Sequence, residues 1–271
     1  MNTLVTAFLN GGKLNNRIDE YLTSINTLIE TGEPIIMFVD KTTQEYFEER
    51  DTLKIYSYNY KEEFPYNELV EKLRHSSSFL DSAAWIKGAS HSKYEAHNPI
   101  IMSKPFMVKK AIKLNPFKST KFVWYDGGLL KNRNYFGMGS SKFKKEELTY
   151  LFQLFTEDQM YFMSTNYPSN SPEIHGFRRE GILNILGDFP NYVCRGGNFG
   201  GGKLPLLEFV EKYSNLLRDT LEKGYMGTEE TIFTILHFLE PALYKNYIFN
   251  SYGDIYTSIR NQSINHYYEK F

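Results

Sequence analysis

Short apolar runs alternate along the chain with longer stretches in which apolar residues recur at helical spacing. Residues 4–9 form the first run, which stops at the turn Asn10-Gly11-Gly12. Ile18, Tyr21, Leu22, Ile25 and Leu28 then mark a helix over residues 17–30, closed by Gly32 and Pro34. Residues 35–39, Ile-Ile-Met-Phe-Val, are apolar without interruption, the pattern of a strand buried on both faces, and they end on Asp40. A short helix follows at 42–50, a strand at 53–58, helices at 67–80 and within 99–114, and a strand at 121–125 closed by Asp126-Gly127-Gly128. Further helices are predicted at 144–155, 177–186, 205–223 and 228–244, with a polar turn-rich stretch at 167–172 and a glycine-rich loop at 195–203. The alternation predicts an α/β layer fold. No internal repeat or linker divides the chain, so residues 1–271 are expected to form a single domain.

Composition narrows the function classes. With 31 basic against 32 acidic residues the net charge is -1, which provides no bulk attraction to nucleic acid or an anionic membrane. The single cysteine, Cys194, excludes an intrachain disulfide and a cysteine-rich zinc site, and suits a reducing compartment. The N-terminus carries no basic leader and no apolar stretch reaches membrane-spanning length, so a cytoplasmic protein is expected. Aromatic residues make up 16%, mostly Tyr and Phe, which serve cores and sugar- or base-stacking surfaces alike.

Carboxylates at strand ends are the leading candidates for chemistry. Asp126 closes the strand Phe122-Val-Trp124-Tyr-Asp126, and ligands of open α/β sheets sit at the carboxyl ends of strands. A hard cation such as manganese or magnesium takes oxygen ligands and shares them with a diphosphate, so Asp126 is a candidate metal anchor; the competing reading is a plain Asp-Gly-Gly turn. Asp40 has the same placement, either to accept from a base or ribose hydroxyl or to cap the segment after it. Gly197 to Lys203 fits G-x-x-x-x-G-K, but Leu204 stands where a phosphate loop needs Ser or Thr. That leaves a glycine loop, Gly201 included, against which a donor or acceptor sugar rests, or a bare structural loop. Glu229 and Glu230 open an apolar helix behind Thr228; they either serve the helix terminus or supply a base to a cleft. The six histidines are scattered, with His266 in the C-terminal tail a candidate to complete a metal site. No G-x-S-x-G elbow is present and Cys194 has no recognisable triad context, which disfavours hydrolysis by a nucleophilic triad.

Taken together, Thr3-Leu-Val-Thr-Ala-Phe8, Ile36-Met-Phe-Val-Asp40, Lys104-Pro-Phe-Met-Val-Lys-Lys-Ala111 and Phe122-Val-Trp-Tyr-Asp126-Gly-Gly128 resemble the HtrL/YibB-like family over residues 3–250. That family looks like a branch of the GT-A glycosyltransferases and is often linked with bacterial surface polysaccharide. The resemblance implies a GT-A-like, Rossmann-related mixed sheet flanked by helices. It also implies sugar transfer from a nucleotide-diphosphate donor, UDP-linked for choice, to a glycan or other hydroxyl acceptor. By the same resemblance Thr6, Ala7 and Phe8 border the nucleotide base, and Asp40 contacts base or ribose. Lys104 and Trp124 belong to the donor site, Asp126 holds the metal, and Glu229 and Glu230 lie near the acceptor. Most GT-A enzymes carry Asp-x-Asp, and only one carboxylate of that pair is present here, so metal dependence stays open. A binding protein of the same fold without turnover, and an NTPase or nucleotidyltransferase built on the glycine loop, are the alternatives.

Overall fold

The computed structural model describes residues 1–12, 17–76, 79, 93–129 and 144–263. Its centre is a seven-stranded sheet in the order β3-β2-β1-β4-β8-β5-β9. The strands are β1 (Asn2–Phe8), β2 (Ile35–Val39), β3 (Leu53–Ser57), β4 (Lys121–Tyr125), β5 (Met160–Asn166), β8 (Tyr192–Gly202) and β9 (Tyr244–Phe249). The short pair β6 (Glu173–Ile174) and β7 (Phe177–Arg178) forms a separate antiparallel ribbon. β8 runs antiparallel to both of its neighbours, and every other pairing in the large sheet is parallel.

The period-two alternation of each strand feeds two apolar layers. One face presents Val5, Ile36, Phe38, Trp124, Phe162 and Phe199. These pack against α5 (Lys104–Leu114), α8 (Lys203–Glu222) and α9 (Glu229–Leu239), through residues such as Met107, Phe209 and Phe233. The other face presents Leu4, Met37, Val39, Val123 and Tyr125. These meet α1 (Ile18–Ile29), α6 (Lys145–Leu154) and α10 (Tyr252–Arg260), through Ile25, Leu151 and Ile259. The result is a helix–sheet–helix sandwich in which each buried Leu, Ile, Val or Phe side chain contributes roughly 1.5–3 kcal/mol. The shorter helices are α2 (Tyr60–Glu63), α3 (Asn67–Arg74), α4 (His97–Met102) and α7 (Arg179–Leu186).

Several sequence expectations need correction. The helix expected at 42–50 is a single 3-10 turn, Gln44–Tyr46, because Asp40 and Thr43 bind the backbone in a local turn. The helix expected within 99–114 is two helices that meet at Ser103, with Pro105 at the start of the second, where its missing N–H costs nothing. The helix expected at 228–244 stops at Leu239, and Tyr244 begins an edge strand of the sheet. The largest departure is the glycine-rich segment, which is not a loop: it belongs to the interior strand β8. Its glycines are there for close approach. A Cβ on Gly200 would lie 2.6 Å from the Phe122 carbonyl oxygen, and one on Gly201 would lie 2.2 Å from that of Gln159. Strand glycines mark such backbone contacts as readily as they mark loops. The phosphate-loop alternative therefore has no loop to stand on, and Lys203 opens α8 beside the amino end of β4, whereas Asp126 follows its carboxyl end.

Gly201 carries φ +155° as well as that contact, whereas Gly187 carries φ +73° with no atom within 4 Å of an added Cβ. Gly201→Ala should therefore cost about 3 kcal/mol or more by urea denaturation, against about 1–2 for Gly187→Ala. Equal losses would mean that backbone crowding does not govern this strand.

Candidate functional site

The sheet itself creates the site. From β1 the chain passes through α1 to β2 on one side, while β4 lies on the other side of β1 and leads toward β8. Strand order reverses between β1 and β4, and the carboxyl ends of two strands that diverge in this way leave a crevice. A cavity of about 230 Å³ opens there, walled by Ala7, Phe8 and Leu9 from the end of β1 and by Trp124, Asp126, Gly127 and Gly128 from the end of β4. Tyr21 of α1 closes one side, and His97, Ile100 and Ile101 of α4 with Lys104 and Met107 of α5 close the other. Gly127 and Gly128 do not turn the chain through a positive φ. They make room for α1, since a Cβ on Gly128 would lie 2.8 Å from the Tyr21 ring and one on Gly127 3.0 Å from Ile25.

At the base of the cavity an ammonium joins four elements. Lys104 Nζ, at the first turn of α5, lies 3.0 Å from Asp126 Oδ1 and 2.8 Å from Glu229 Oε1, and donates to the Gly196 carbonyl oxygen at 3.1 Å. It also sits 5.8 Å from the centre of the Trp124 ring, whose Nε1–H donates to Asp126 Oδ1 at 2.7 Å. Trp124 is held in turn by stacking on Phe199 of β8 at 6.2 Å and 14°. Burial opposes the Lys104 charge, yet Asp126 and Glu229 hold its pKa above the ordinary lysine value. Burial pushes the Glu229 carboxyl up to about 7, an increase that Lys104 only partly offsets and the adjacent Glu230 adds to. The two carboxylates at the start of α9 differ sharply. Burial also works against Glu230, but Arg195, His175 and the Gly196 N–H hold it well below the usual range. The contacts are short: Arg195 Nη1 at 3.1 Å and His175 Nδ1 at 3.0 Å from Oε2, and the Gly196 N–H donating to Oε1 at 2.8 Å. Gly196 is thus gripped from both sides, its N–H by Glu230 and its carbonyl by Lys104. A side chain has no room there: a Cβ would lie 2.2 Å from Glu229 Oε1.

The structure brings some expected residues together and leaves others apart. Ala7, Phe8, Lys104, Trp124 and Asp126 all border the cavity. Thr6 is buried on β1 and does not line it. Asp40 does not line it either. Its carboxylate accepts from the Asn10 N–H at 2.5 Å, the Thr42 N–H at 2.9 Å and the Thr42 hydroxyl at 2.6 Å, which ties the exits of β1 and β2. Gly201 pairs with Phe122 near the amino end of β4, at the far end of the sheet from Asp126. Glu229 and Glu230 lie beneath the cavity in ion pairs and do not line it. His266 falls outside the described residues. Arg195, His175 and Thr165, which receives Arg195 Nε at 2.8 Å, were not singled out from sequence. The sequence offers one signal for them, the arginine that precedes the paired glycines Gly196 and Gly197.

Asp126 is the cavity's one carboxylate among the described residues, and these contain no group of three His, Cys, Asp or Glu side chains able to hold a metal. The set therefore fits a divalent cation at Asp126 only if a bound ligand supplies further oxygens. Among the described residues no helix is long and apolar enough to cross a membrane.

Comparison with known proteins identifies the fold. No protein-family model matches the chain, and no curated protein matches its sequence. Core-mannan synthase A from Aspergillus fumigatus, in its Mn/GDP form, superposes with a TM-score of 0.52 at 8% identity, over 90% of this chain and 72% of that one. Mouse xyloside xylosyltransferase 1, in its apo form, gives 0.46 at 12% identity over 100% of this chain and 95% of that one. The 4-diphosphocytidyl-2C-methyl-D-erythritol synthase from Anaerococcus prevotii gives 0.44 at 10% identity, over 98% of each chain. The mannan synthase likeness is one of fold, and it agrees with the strand order and crevice: this is a GT-A-type α/β fold. The other two superpositions are too loose to add to that.

The raised pKa of Glu229 fixes a pH dependence. Folded, Glu229 binds its proton more tightly than unfolded, so stability is lost as pH rises from about 4.5 through about 7. Glu229→Gln lacks this loss. Its melting temperature relative to the native chain should climb by several degrees across that window and level off above it. A difference that stays flat with pH would overturn the assignment.

Proposed function

We propose that the chain is a nucleotide-sugar-dependent glycosyltransferase that moves a sugar from a nucleotide-diphosphate donor to a hydroxyl of an acceptor glycan. The observation that carries this reading is the cavity at the strand-order reversal, with aromatic walls and the Lys104–Asp126 pair at its base. Phe8, Tyr21 and Trp124 offer rings for a base or sugar to lie against, and backbone at the end of β1 offers polar edges. In the transfer, the acceptor oxygen bonds to the anomeric carbon and the bond from that carbon to the diphosphate oxygen breaks. The electron pair leaves with the diphosphate, and the acceptor's proton goes to a base. Lys104 provides a fixed positive charge beside the leaving diphosphate, without rearranging as the charge develops. Asp126 would hold manganese or magnesium, which when bound neutralises the leaving group. Glu229 and Glu230 act from below: Glu229 holds Lys104, which binds the Gly196 carbonyl, and Glu230 accepts from the Gly196 N–H.

The finer reading follows the resemblance of Thr3 to Phe8, Lys104 to Ala111 and Phe122 to Gly128 to the HtrL/YibB-like family. On that basis we assign a hexosyl donor linked to UDP and a role in bacterial surface polysaccharide. The buried Cys194, the one cysteine in the sequence, accords with action in the cytoplasm. A second reading, binding without turnover, draws on one feature: neither Glu229 nor Glu230 lines the cavity as a base would. Donor hydrolysis separates the two.

The test is a melting-temperature screen of nucleotide sugars with manganese. A UDP-linked donor should stabilise the native chain by mass action. Asp126→Asn should weaken that donor about tenfold or more, the equivalent of ~1.4 kcal/mol. If no nucleotide raises the melting temperature, or if Asp126→Asn binds the donor as tightly as the native chain, the site is misassigned.

A further inference from the structure

We propose that the end of the sheet opposite the cavity docks a second copy of this chain, about a two-fold axis near Leu204. The surface is remote from the nucleotide-sugar site, and its assignment does not depend on that reading.

β1, β4, β5 and β9 run in one direction, so their amino ends gather at the end of the sheet away from the cavity. α5 and α9 begin at Lys104 and Glu229 and run back to that amino end, where they lead into β4 and β9. Seven large apolar side chains are exposed among the described residues, and five of them lie here: Met1, Leu114, Leu204, Leu239 and Leu243. Leu204 is 75% exposed and Met1 71%. Backbone hydrogen bonds tie the patch together, the Thr120 N–H donating to the Met1 carbonyl at 3.1 Å and the Lys203 N–H to the Thr120 carbonyl at 2.9 Å. Beside Leu204 opens a groove of about 450 Å³, larger than the cavity between β1 and β4. Leu204, Phe209 and Leu243 line it, with Tyr244, whose buried hydroxyl meets no hydrogen-bond partner among the described residues. Single exposed leucines are ordinary, but an apolar patch and groove gathered at one end mark an interaction surface.

Charge selects the occupant. Along the strand order β1-β4-β8-β5-β9, the exposed Lys118 and Lys203 lie beside the start of β4, and Leu204 follows the end of β8. The exposed Glu157 and Asp158 then precede β5, and Glu208 stands with them around the groove. Lys212, 3.8 Å from Glu208, and Lys245, in the field of Asp158, offset part of this acidic charge. The surface therefore passes from basic through apolar to acidic. A partner of one sign, whether an anionic membrane or a basic segment, is repelled on one flank. A second copy turned by half a rotation about Leu204 is attracted on both, its lysines over the first copy's carboxylates and the reverse. An isologous contact requires this self-complementarity. The pairing leaves the two cavities at the far ends of the dimer, both open.

Sedimentation velocity of the full chain over a range of concentrations is the experiment. The native chain should pass from a one-chain to a two-chain species as concentration rises, and added salt should weaken the pair. Leu204→Asp alters a side chain that solvent already reaches, and should raise the dissociation constant about tenfold or more. Two charge-reversed variants test the register: Lys118→Glu with Lys203→Glu, and Asp158→Lys with Glu208→Lys. Each should stay single by itself, and the two should pair when mixed, since both flanks are then complementary again. A native chain that remains single at every concentration overturns the proposal, as does association that Leu204→Asp leaves unchanged, or reversed variants that do not pair on mixing. A single chain that sediments with phosphatidylserine vesicles also overturns it and gives the surface to a membrane.

Discussion

Four elements of this protein converge on one buried positive charge. α5 brings Lys104, β4 ends at Asp126, β8 turns the Gly196 carbonyl inward, and α9 begins at Glu229. Taking an ammonium and a carboxylate out of water costs several kcal/mol per ion, which good geometry must offset. Here it does so with full use of the donors on Lys104. The consequence is rigidity: β4 and β8 are locked in register at the cavity end, where the Asp126 N–H also donates to the Gly197 carbonyl at 3.0 Å. Removing one partner would strand the others, so the cluster constrains the fold and the site together.

The second ion cluster extends that constraint outward. Arg195, His175 and Glu230 join β8, the β6–β7 ribbon and α9, and Arg195 lies 5.4 Å from the Tyr252 ring at the start of α10. Glu229 and Glu230 are adjacent in sequence but held in opposite electrostatic states, one pushed toward its neutral form and one held ionised. Each faces a different partner across the same strand, and Gly196 sits between them with room for no side chain. Glu230 accepts from the Gly196 N–H, and Glu229 holds the Lys104 that binds the Gly196 carbonyl.

How much was legible depended on whether a signal was local. The apolar run Ile35 to Val39 announces a strand buried on both faces because parallel pairing hides both sides, and it is fully buried. The strand-end position of Asp126 was legible for the same reason: an apolar run stops and polar, glycine-rich sequence begins. β8 was illegible because Gly-Gly-Asn-Phe-Gly-Gly-Gly reads as a loop by propensity, while its strand character comes from the neighbours β4 and β5 that press on it. Asp40 was legible as a strand-end carboxylate, but its hydrogen bonds to Asn10 and Thr42 came only with the structure.

The sequence by itself determined the α/β alternation, the strands β1 to β4 that form one side of the sheet, and the carboxylate that closes β4. These follow from periodicity and turn chemistry within a few residues. Only the tertiary structure decided that Lys104 and Glu229, far apart along the chain, meet at 2.8 Å, and that Glu230 faces Arg195 instead of the cavity. Such contacts arise from how separate elements pack across a shared sheet. A charge pattern on one helix holds no record of which strand end will lie against it.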